Sequence, residues 1–448
     1  MTDDSNDPPP LRELARGLRK RTLVTAKLAS KVGLGFAKRT MFGRGAPSTG
    51  ADAKGRPEDS AAVEAAGKMV EQLGALKGLV MKLGQIASYM PGALPPEAQR
   101  VLTKLQSHTT AMEAEVVREV VREQLGDEPE ALFEAFEPKP FAAASIGQVH
   151  RARFEGRDVA VKVQYPGIED ALRSDLKTAR VLGRLGTMGT GFDGPALVAE
   201  LRERVLEECD YRQEAANQTA FAGLFAPMEG AHVPAVVPAR STLRVITSAF
   251  DPGQGFYPFC DQAPQAARDR AGEIIFRTCF DSLFRHSIYN ADPHPGNYLF
   301  SPAGDVTFLD FGCIRRFDRE MIDDWKHTAL AVIEGDRPRF ERAFTKLGLA
   351  GNPRKFDWDH QWAIMKYLYR PFTATEPFTY THAYVEESYG KLIFDNPNRF
   401  NSGMPPQWLF LNRLQWGLNS VLAHLNATAN WGEIWQAGLH APTVDPPF

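Results

Sequence analysis

Three polar side chains between Asn290 and Gly312 are spaced for chemistry: Asp292, Asn297 five positions on, and Asp310 thirteen beyond that. The stretch reads NADPHPGNYLFSPAGDVTFLDFG, and Asp310 follows a short apolar run, Val306-Thr307-Phe308-Leu309, before opening Asp-Phe-Gly. Two carboxylates and an amide at these intervals suit phosphoryl transfer. A transferring phosphoryl group concentrates charge, so oxygen ligands at two loop-anchored points must fix Mg while a separate carboxylate orients the nucleophile. The alternative is a polar hairpin in which Pro293, Pro295 and Gly296 only turn the chain.

Such a set needs a phosphate-binding partner elsewhere in the chain. FAAASIGQVHRARF and DVAVKVQYP are strand-rich runs around a tight turn at Glu155-Gly156-Arg157, which predicts a hairpin. Set against the Gly-x-Gly-x-x-Gly-x-Val loop of protein kinases, Ala142, Ala143, Ala144, Ser145, Ile146, Gly147, Gln148 and Val149 fit position for position. Ala142 and Ala144 stand where the first two glycines would be, and only Gly147 is kept. Lys162, in Val-Ala-Val-Lys, matches the strand lysine that reaches the nucleotide phosphates; the alternative is an edge-strand lysine facing solvent. The same pattern gives Asp292 the attacking hydroxyl or water, and Asn297 and Asp310 the Mg. A long helix from about Pro195 to Leu224 carries Glu208, Asp210 and Glu214. On a regular helix Asp210 and Glu214 share a face while Glu208 points roughly 160° away from Asp210, and Glu214 is the natural partner for Lys162. The alternative is an acidic face exposed to solvent.

At 448 residues, 43% hydrophobic and 24% charged, the chain has room for two or three domains of an ordinary soluble protein. A net charge of −3 gives no reason to expect nucleic acid. The four cysteines (Cys209, Cys260, Cys279, Cys313) have no CxxC spacing, so neither a disulfide framework nor a zinc site is indicated, and the expected compartment is reducing. No apolar run reaches membrane-spanning length and no signal-peptide core follows the acidic, proline-rich start, so a cytoplasmic location is expected. Residues 11–44 hold ten Lys or Arg against the single acid Glu13. That arm points to peripheral contact with an anionic membrane at its inner face, or else to a solvated basic arm. Gly43 to Ser60 reads as a linker.

A helix beginning near Ala61 has an apolar seam, Met69, Leu73, Leu76, Val80, Leu83 and Ala87, opposite a face of Gly74, Gly78, Lys82 and Gln85. Glycines inside a helix cost roughly 1 kcal/mol each relative to Ala, so close approach of another backbone to that face is expected. After Phe136 come the hairpin, helices at about 168–185 and 195–224, and strands at 232–237 and 243–250. A hinge-like turn follows at Asp251-Pro252-Gly253, then helix to Tyr289. Beyond Gly312 there is little room for an activation segment, because Arg319 to Glu334 already reads as helix. Trp408, Leu411, Gln415, Leu418 and Leu422 on one helix, and Trp431 and Trp435 on another, read as core.

With these residues the chain resembles the UbiB (AarF, or ADCK-type) family of atypical kinases. The motifs are Lys82-Leu83-Gly84-Gln85 (the family's KxGQ), the alanine-rich loop Ala142 to Gly147, Val159-Ala160-Val161-Lys162, Glu208-Cys209-Asp210 with Glu214, Asp292 to Asn297, and Asp310-Phe311-Gly312. They appear in the family's order over residues 82–312, with a family-like helical tail to about 425.

The resemblance implies an α+β, two-lobed protein-kinase-like fold: a basic arm and linker (1–60), a helical KxGQ extension (61–130), an N-lobe (131–250) and a helix-rich C-lobe with a tail (251–448). It further implies ATP or ADP and Mg as cofactors, phosphoryl transfer to water or to a small-molecule or lipid-precursor substrate, and a place in ubiquinone or other isoprenoid-lipid metabolism. The alternatives are an orthodox protein kinase and a nucleotide-binding scaffold without turnover. Lys82, paired with Glu208 or Asp210, and Gln85 are expected to close the nucleotide site to a peptide; the bland reading is an exposed lysine on a bracing helix. The sequence departs from the family in having Ser248-Ala249-Phe250 at the hinge position, and the C-terminal membrane-spanning segments of some bacterial relatives are not expected here.

Overall fold

The computed structural model describes residues 112–144, 146–170, 172–173, 206–290, 293–403 and 405–444. Four of the residues singled out above, Lys82, Gln85, Ser145 and Asp292, lie outside them, as do the basic arm and most of the helical extension. The chain divides into two compact units. Among the described residues, one holds 112–156, 161–173 and 206–209, and the other holds 157–160 and 210 onward.

In the first unit, helix α1 (Ala114–Leu125) forms because Val117, Val120 and Val121 recur at helical spacing and all three are buried. Gly126, at φ 89°, ends it by donating its N–H to the Arg122 carbonyl. Strands β1 (Ala135–Phe136) and β2 (Ala142–Ala143) both pair antiparallel with β3 (Gly147–Phe154), and β4 (Arg157–Gln164) lies on the other side of β3. The hairpin expected from the sequence is there. Its turn uses two positive φ values, 50° at Glu155 and 72° at Gly156, which match the twist of the flanking strands. Alternation on β4 buries Val159, Val161 and Val163 on one face and leaves Ala160 and Lys162 half-buried on the other.

A buried polar chain ties this sheet to α1. Gln148 Oε1 accepts from the Met112 N–H at 2.8 Å, and Gln148 Nε2 lies 2.9 Å from His150 Nε2. His150 Nδ1 is 2.9 Å from the Glu137 carbonyl, and its ring stacks on Phe136. This geometry suits a neutral imidazole with the proton on Nδ1, and burial lowers the His150 pKa from its ordinary 6.5. A depressed imidazole pKa stabilises the fold above the unfolded value, and that contribution is lost as pH falls below it through the folded value. The urea midpoint should therefore decline from about pH 7 to about pH 5.5, with a shallower slope in His150→Phe. A pH slope identical in parent and variant would show that His150 carries none of the effect.

The second unit is built on α2 (Tyr211–Phe225) and two short ladders. The sequence reading had one helix running from about 195 to 224. Here a break falls at Cys209–Asp210, and Asp210 is the N-cap of α2, its carboxylate accepting the Arg212 N–H. Asp210 therefore does not share a helical face with Glu214. The cause is local: an aspartate at the cap satisfies an orphan N–H that an interior aspartate cannot reach. The strands expected at 232–237 and 243–250 shorten to β5 (Ala231–His232) and β6 (Val245–Ala249), with residues 235–237 joined to β6 only by the Val236–Ser248 bridge and its flanking bonds. Asp251 makes the expected turn by accepting the Gly253 N–H, and its other oxygen is held by the Thr307 hydroxyl at 2.7 Å, so the turn is anchored.

Strand β7 (Gln254–Gly255) then leads to helix α3 (Phe256–Gln262) and to the central helix α4 (Gln265–His286). Buried residues lie all round α4, among them Ile275, Phe276, Phe280, Leu283 and Phe284, because other elements cover each side. After it come β8 (Ile288–Asn290), β9 (Tyr298–Phe300), β10 (Val306–Phe308), β11 (Ile314–Arg316) and a run of helices that includes α5 (Arg319–Ile333). Two helices near the end of the chain, α6 (Pro406–Leu425) and α7 (Trp431–His440), bury Trp408, Leu411, Leu418, Leu422, Trp431 and Trp435, with Gln415 half-buried, as the sequence leads one to expect.

Candidate functional site

Two antiparallel ladders hold the Asn290–Gly312 stretch at both ends. β8 pairs with β11, Asn290 facing Ile314, and β9 pairs with β10, Tyr298 facing Phe308. The chain thus leaves β8, turns through Pro293 to Asn297, runs up β9 and down β10, passes Asp310-Phe311-Gly312, and returns to β8 as β11. The pairing forces the two loops to be neighbours, although Asp310 lies 13 positions beyond Asn297.

Hydrogen bonds close this ring. The Leu309 N–H donates to the Asn297 carbonyl at 3.0 Å, and Asn290 Nδ2 donates to the Asp310 carbonyl at 2.5 Å. Within the turn, the Asn297 N–H reaches the His294 carbonyl at 2.9 Å, and the Gly296 N–H reaches His294 Nδ1 at 2.8 Å. Asp310 Oδ1 accepts the Gly312 N–H at 2.9 Å, which fixes the carboxylate against its own backbone. Asn297 and Asp310 are both half-buried.

Helix α2 is fastened to the same ring. Glu214, Asn217, Gln218 and Phe221 fall at helical spacing on one face, and all four are buried, Glu214 being only 4% exposed. Asn217 Nδ2 donates to the Phe311 carbonyl at 3.0 Å, and the Phe221 ring lies 5.3 Å from the Phe311 ring. Glu214 therefore stands one turn from the tether that holds Asp-Phe-Gly. Removing that tether by Asn217→Ala strands a buried carbonyl, which should cost about 1–3 kcal/mol. If the tether also sets the Asp310 loop, the Mg concentration for half-maximal turnover should rise in the same variant. An unchanged urea midpoint together with unchanged Mg dependence would rule the tether out.

The remaining predicted residues sit on the first unit. Ala142 and Ala143 form exposed β2, pairing with Val149 and Gln148, and the Ala144 N–H reaches the Gly147 carbonyl at 2.9 Å. The alanine-rich segment is thus a small hairpin folded back on β3, with the methyl-bearing residues outermost. Lys162 occupies the half-buried face of β4, whereas Glu214 belongs to the second unit. The two acids considered for Lys82 differ. Asp210 is paired with the Arg212 guanidinium at 2.8 Å, whose hydrogen bond lowers its pKa, and Glu208 is 8% exposed.

Asn297 and Asp310 offer one amide oxygen and one carboxylate on linked loops. Both are hard oxygen donors, and Mg takes one or two carboxylates with waters and substrate phosphates, so the pair fits that ion. Among the described residues no three His, Cys, Asp or Glu side chains gather around a common point. Only six residues, Cys313 to Asp318, separate Gly312 from α5, as expected for a chain without an extended activation segment.

Sequence reasoning missed Asn217 and Asn290. Asn217 lies three residues after Glu214, on the face that must turn inward if Glu214 does. Asn290 is a polar residue closing the apolar pair Ile288-Tyr289 directly ahead of the loop. Both positions were open to inspection. Their carbonyl partners were not, because neither register nor backbone path can be read from residue types.

A family model described as the ABC1 atypical kinase-like domain matches residues 104–344. Atypical kinase coq-8, mitochondrial, of Caenorhabditis elegans is 28% identical over 381 residues, 83% of this chain and 50% of the relative. Atypical kinase COQ8B, mitochondrial, of Rattus norvegicus is 32% identical over 322 residues, 70% of this chain and 60% of the relative. The chain thus spans about half to three fifths of the length of these curated relatives. Among solved structures, the Rv3197–erythromycin complex from Mycobacterium tuberculosis is similar with a TM-score of 0.64 at 30% identity, covering 86% of this chain and 100% of that one.

Proposed function

The chain belongs to the ABC1 atypical kinase-like family, and on that footing we propose that it binds Mg-ATP and either hydrolyses it or passes its phosphate to a small molecule. The acceptor class we favour is a ubiquinone precursor or another isoprenoid-lipid intermediate, in keeping with the names of the relatives. The observation that carries this reading is the closed ring of hydrogen bonds joining the Asn297 turn, the Asp310 loop and α2.

Each residue has a role to play. Asp292 accepts the proton of the attacking water or hydroxyl and orients it. Asn297 and Asp310 hold Mg, which when bound neutralises charge on the phosphates. Lys162 takes the phosphate oxygens, with Glu214 holding its ammonium in place. The segment Ala142 to Val149, Ser145 and Gly147 included, covers the nucleotide, and its added methyls restrict how closely the backbone approaches the phosphates. Lys82 and Gln85 exclude a peptide while admitting ATP or ADP and a small acceptor.

The short path from Gly312 to α5 supports a small acceptor over a protein. No helix among the described residues is long and apolar enough to cross a membrane. We assign peripheral contact with an anionic membrane surface to the basic arm at 11–44, with its ten Lys or Arg.

The deciding experiment measures Mg-dependent phosphate release from ATP, with and without anionic liposomes and a phenolic quinone-precursor mimic. Turnover that rises with both additions is expected. Absence of Mg-dependent turnover under all conditions, with nucleotide still bound, would leave the scaffold reading in its place.

A further inference from the structure

We infer that Gly417, on the late helix α6, is a positioning residue for the Asn297 turn, acting through Pro293. This rests on the phosphoryl-transfer reading and adds to it an element outside the recognised motifs. Gly417 lies well inside a 20-residue helix and is buried, where glycine is the least favourable residue apart from proline. Its lack of a side chain has a definite use. A Cβ at this position would stand 2.3 Å from Pro293 Cγ, 3.3 Å from Pro293 Cβ and 3.4 Å from the Pro293 carbonyl oxygen. A pyrrolidine ring cannot swing aside as the end of a long side chain can.

Pro293 begins the turn that ends in Asn297. Only His294 separates it from the 3-10 turn Pro295–Asn297, whose Asn297 carbonyl is bonded to the Leu309 N–H. The room around the turn and the packing of the helix decide which side gives. A cavity of about 30 Å³ is lined by Pro293, Asn290, Asn297, Tyr298 and Leu418, roughly the room of one or two water molecules. On α6, by contrast, Leu414, Trp416, Leu418, Val421 and Leu422 are all buried, so a shift of the helix would disturb the packing of each of them. A methyl group at 417 should therefore displace the turn more than the helix and change the placement of Asn297 relative to Asp310.

Four variants test this beside the parent protein: Gly417→Ala, Pro293→Ala, the Gly417→Ala/Pro293→Ala pair, and Gly223→Ala as a control. Gly223 is an exposed helical glycine with nothing within 4 Å of its absent Cβ, so G223A adds a helix-favouring methyl without a clash. For G417A the thermal midpoint should not fall. Its kcat should drop by about 10²-fold, a loss typical of ångström-scale misplacement, while the KM for ATP stays within about twofold. The Mg concentration for half-maximal rate should rise, and amide exchange in the peptide spanning 293–309 should quicken. In the double variant, the loss of Cγ should return rate and exchange to those of P293A alone, and G223A should match the parent.

Parent-like kcat, Mg dependence and exchange in G417A would overturn the inference. So would a loss that comes with a lowered thermal midpoint, or one that P293A does not relieve. If the parent shows no turnover, the phosphoryl-transfer reading fails; exchange across 293–309 in G417A and the double variant then decides the steric claim by itself.

Discussion

Asp310→Asn is expected to abolish Mg-dependent turnover and to leave the fold as it is. The fold should survive because the residue follows β10 in a loop, and the bond from the Gly312 N–H to its Oδ1 needs only an acceptor. Asparagine keeps that oxygen, so the unfolding free energy from a urea titration should change by no more than about 0.5 kcal/mol. What is lost is the negative charge. An amide oxygen offers a divalent cation far less than a carboxylate does, and Asn297 is already an amide, so the metal would rest on two neutral donors. Removing one preorganised electrostatic element from such a site commonly costs ~10²–10³ in kcat, and loss of the cation itself would cost more. Phosphate release across a Mg titration, paired with nucleotide binding in Mg and in a chelator, separates the outcomes. The variant should bind nucleotide as the parent does in chelator and gain nothing from Mg. Activity equal to the parent's would remove the phosphoryl-transfer reading.

Much of the fold was legible wherever a local rule had no competitor. The β3–β4 hairpin follows from two strand-like runs around Glu155-Gly156, and both residues take the positive φ such a turn demands. The loop position of Asp310 follows from the apolar run before it. The core helices near the end of the chain follow from aromatic and leucine residues at helical spacing. The helix through 208–214 was misjudged because periodicity alone cannot distinguish an interior aspartate from a cap. Asp210 can serve as either, and the Arg212 N–H beside it decided the matter. Asn217, Asn290 and Gly417 were passed over for a different reason. Each acts through a backbone atom or ring of a residue far along the chain: Phe311, Asp310 and Pro293. Glycine at 417 in particular looks like a defect in a good helix until the proline opposite it is known.

The pairing of Lys162 with Glu214, proposed above as part of the nucleotide site, yields the sharpest contrast between stability and activity. Glu214 is 4% exposed in the first turn of α2, and Lys162 sits on β4 between Val161 and Val163, both fully buried. Charges in such positions are tolerated only with a partner, because desolvation outweighs what either gains alone. Glu214→Leu or Lys162→Met should therefore destabilise the protein by about 3–5 kcal/mol, less to the extent that Lys162 keeps contact with water. Replacing both, as Lys162→Met with Glu214→Leu, removes the stranded charge as well as the bond. Most of the stability should return, since a buried pair exchanged for apolar groups of similar volume is often neutral or better. Turnover should not return, because the lysine that meets the phosphates is gone; a residual rate at least ~10²-fold below the parent's is expected. Urea unfolding of the four proteins gives the coupling directly, as the departure of the double variant from the sum of the singles. A coupling above about 1 kcal/mol marks direct partners, whereas additivity within about 0.5 kcal/mol marks independent sites. Additive losses in stability would sink the pair, and full turnover in K162M would remove Lys162 from the chemistry altogether.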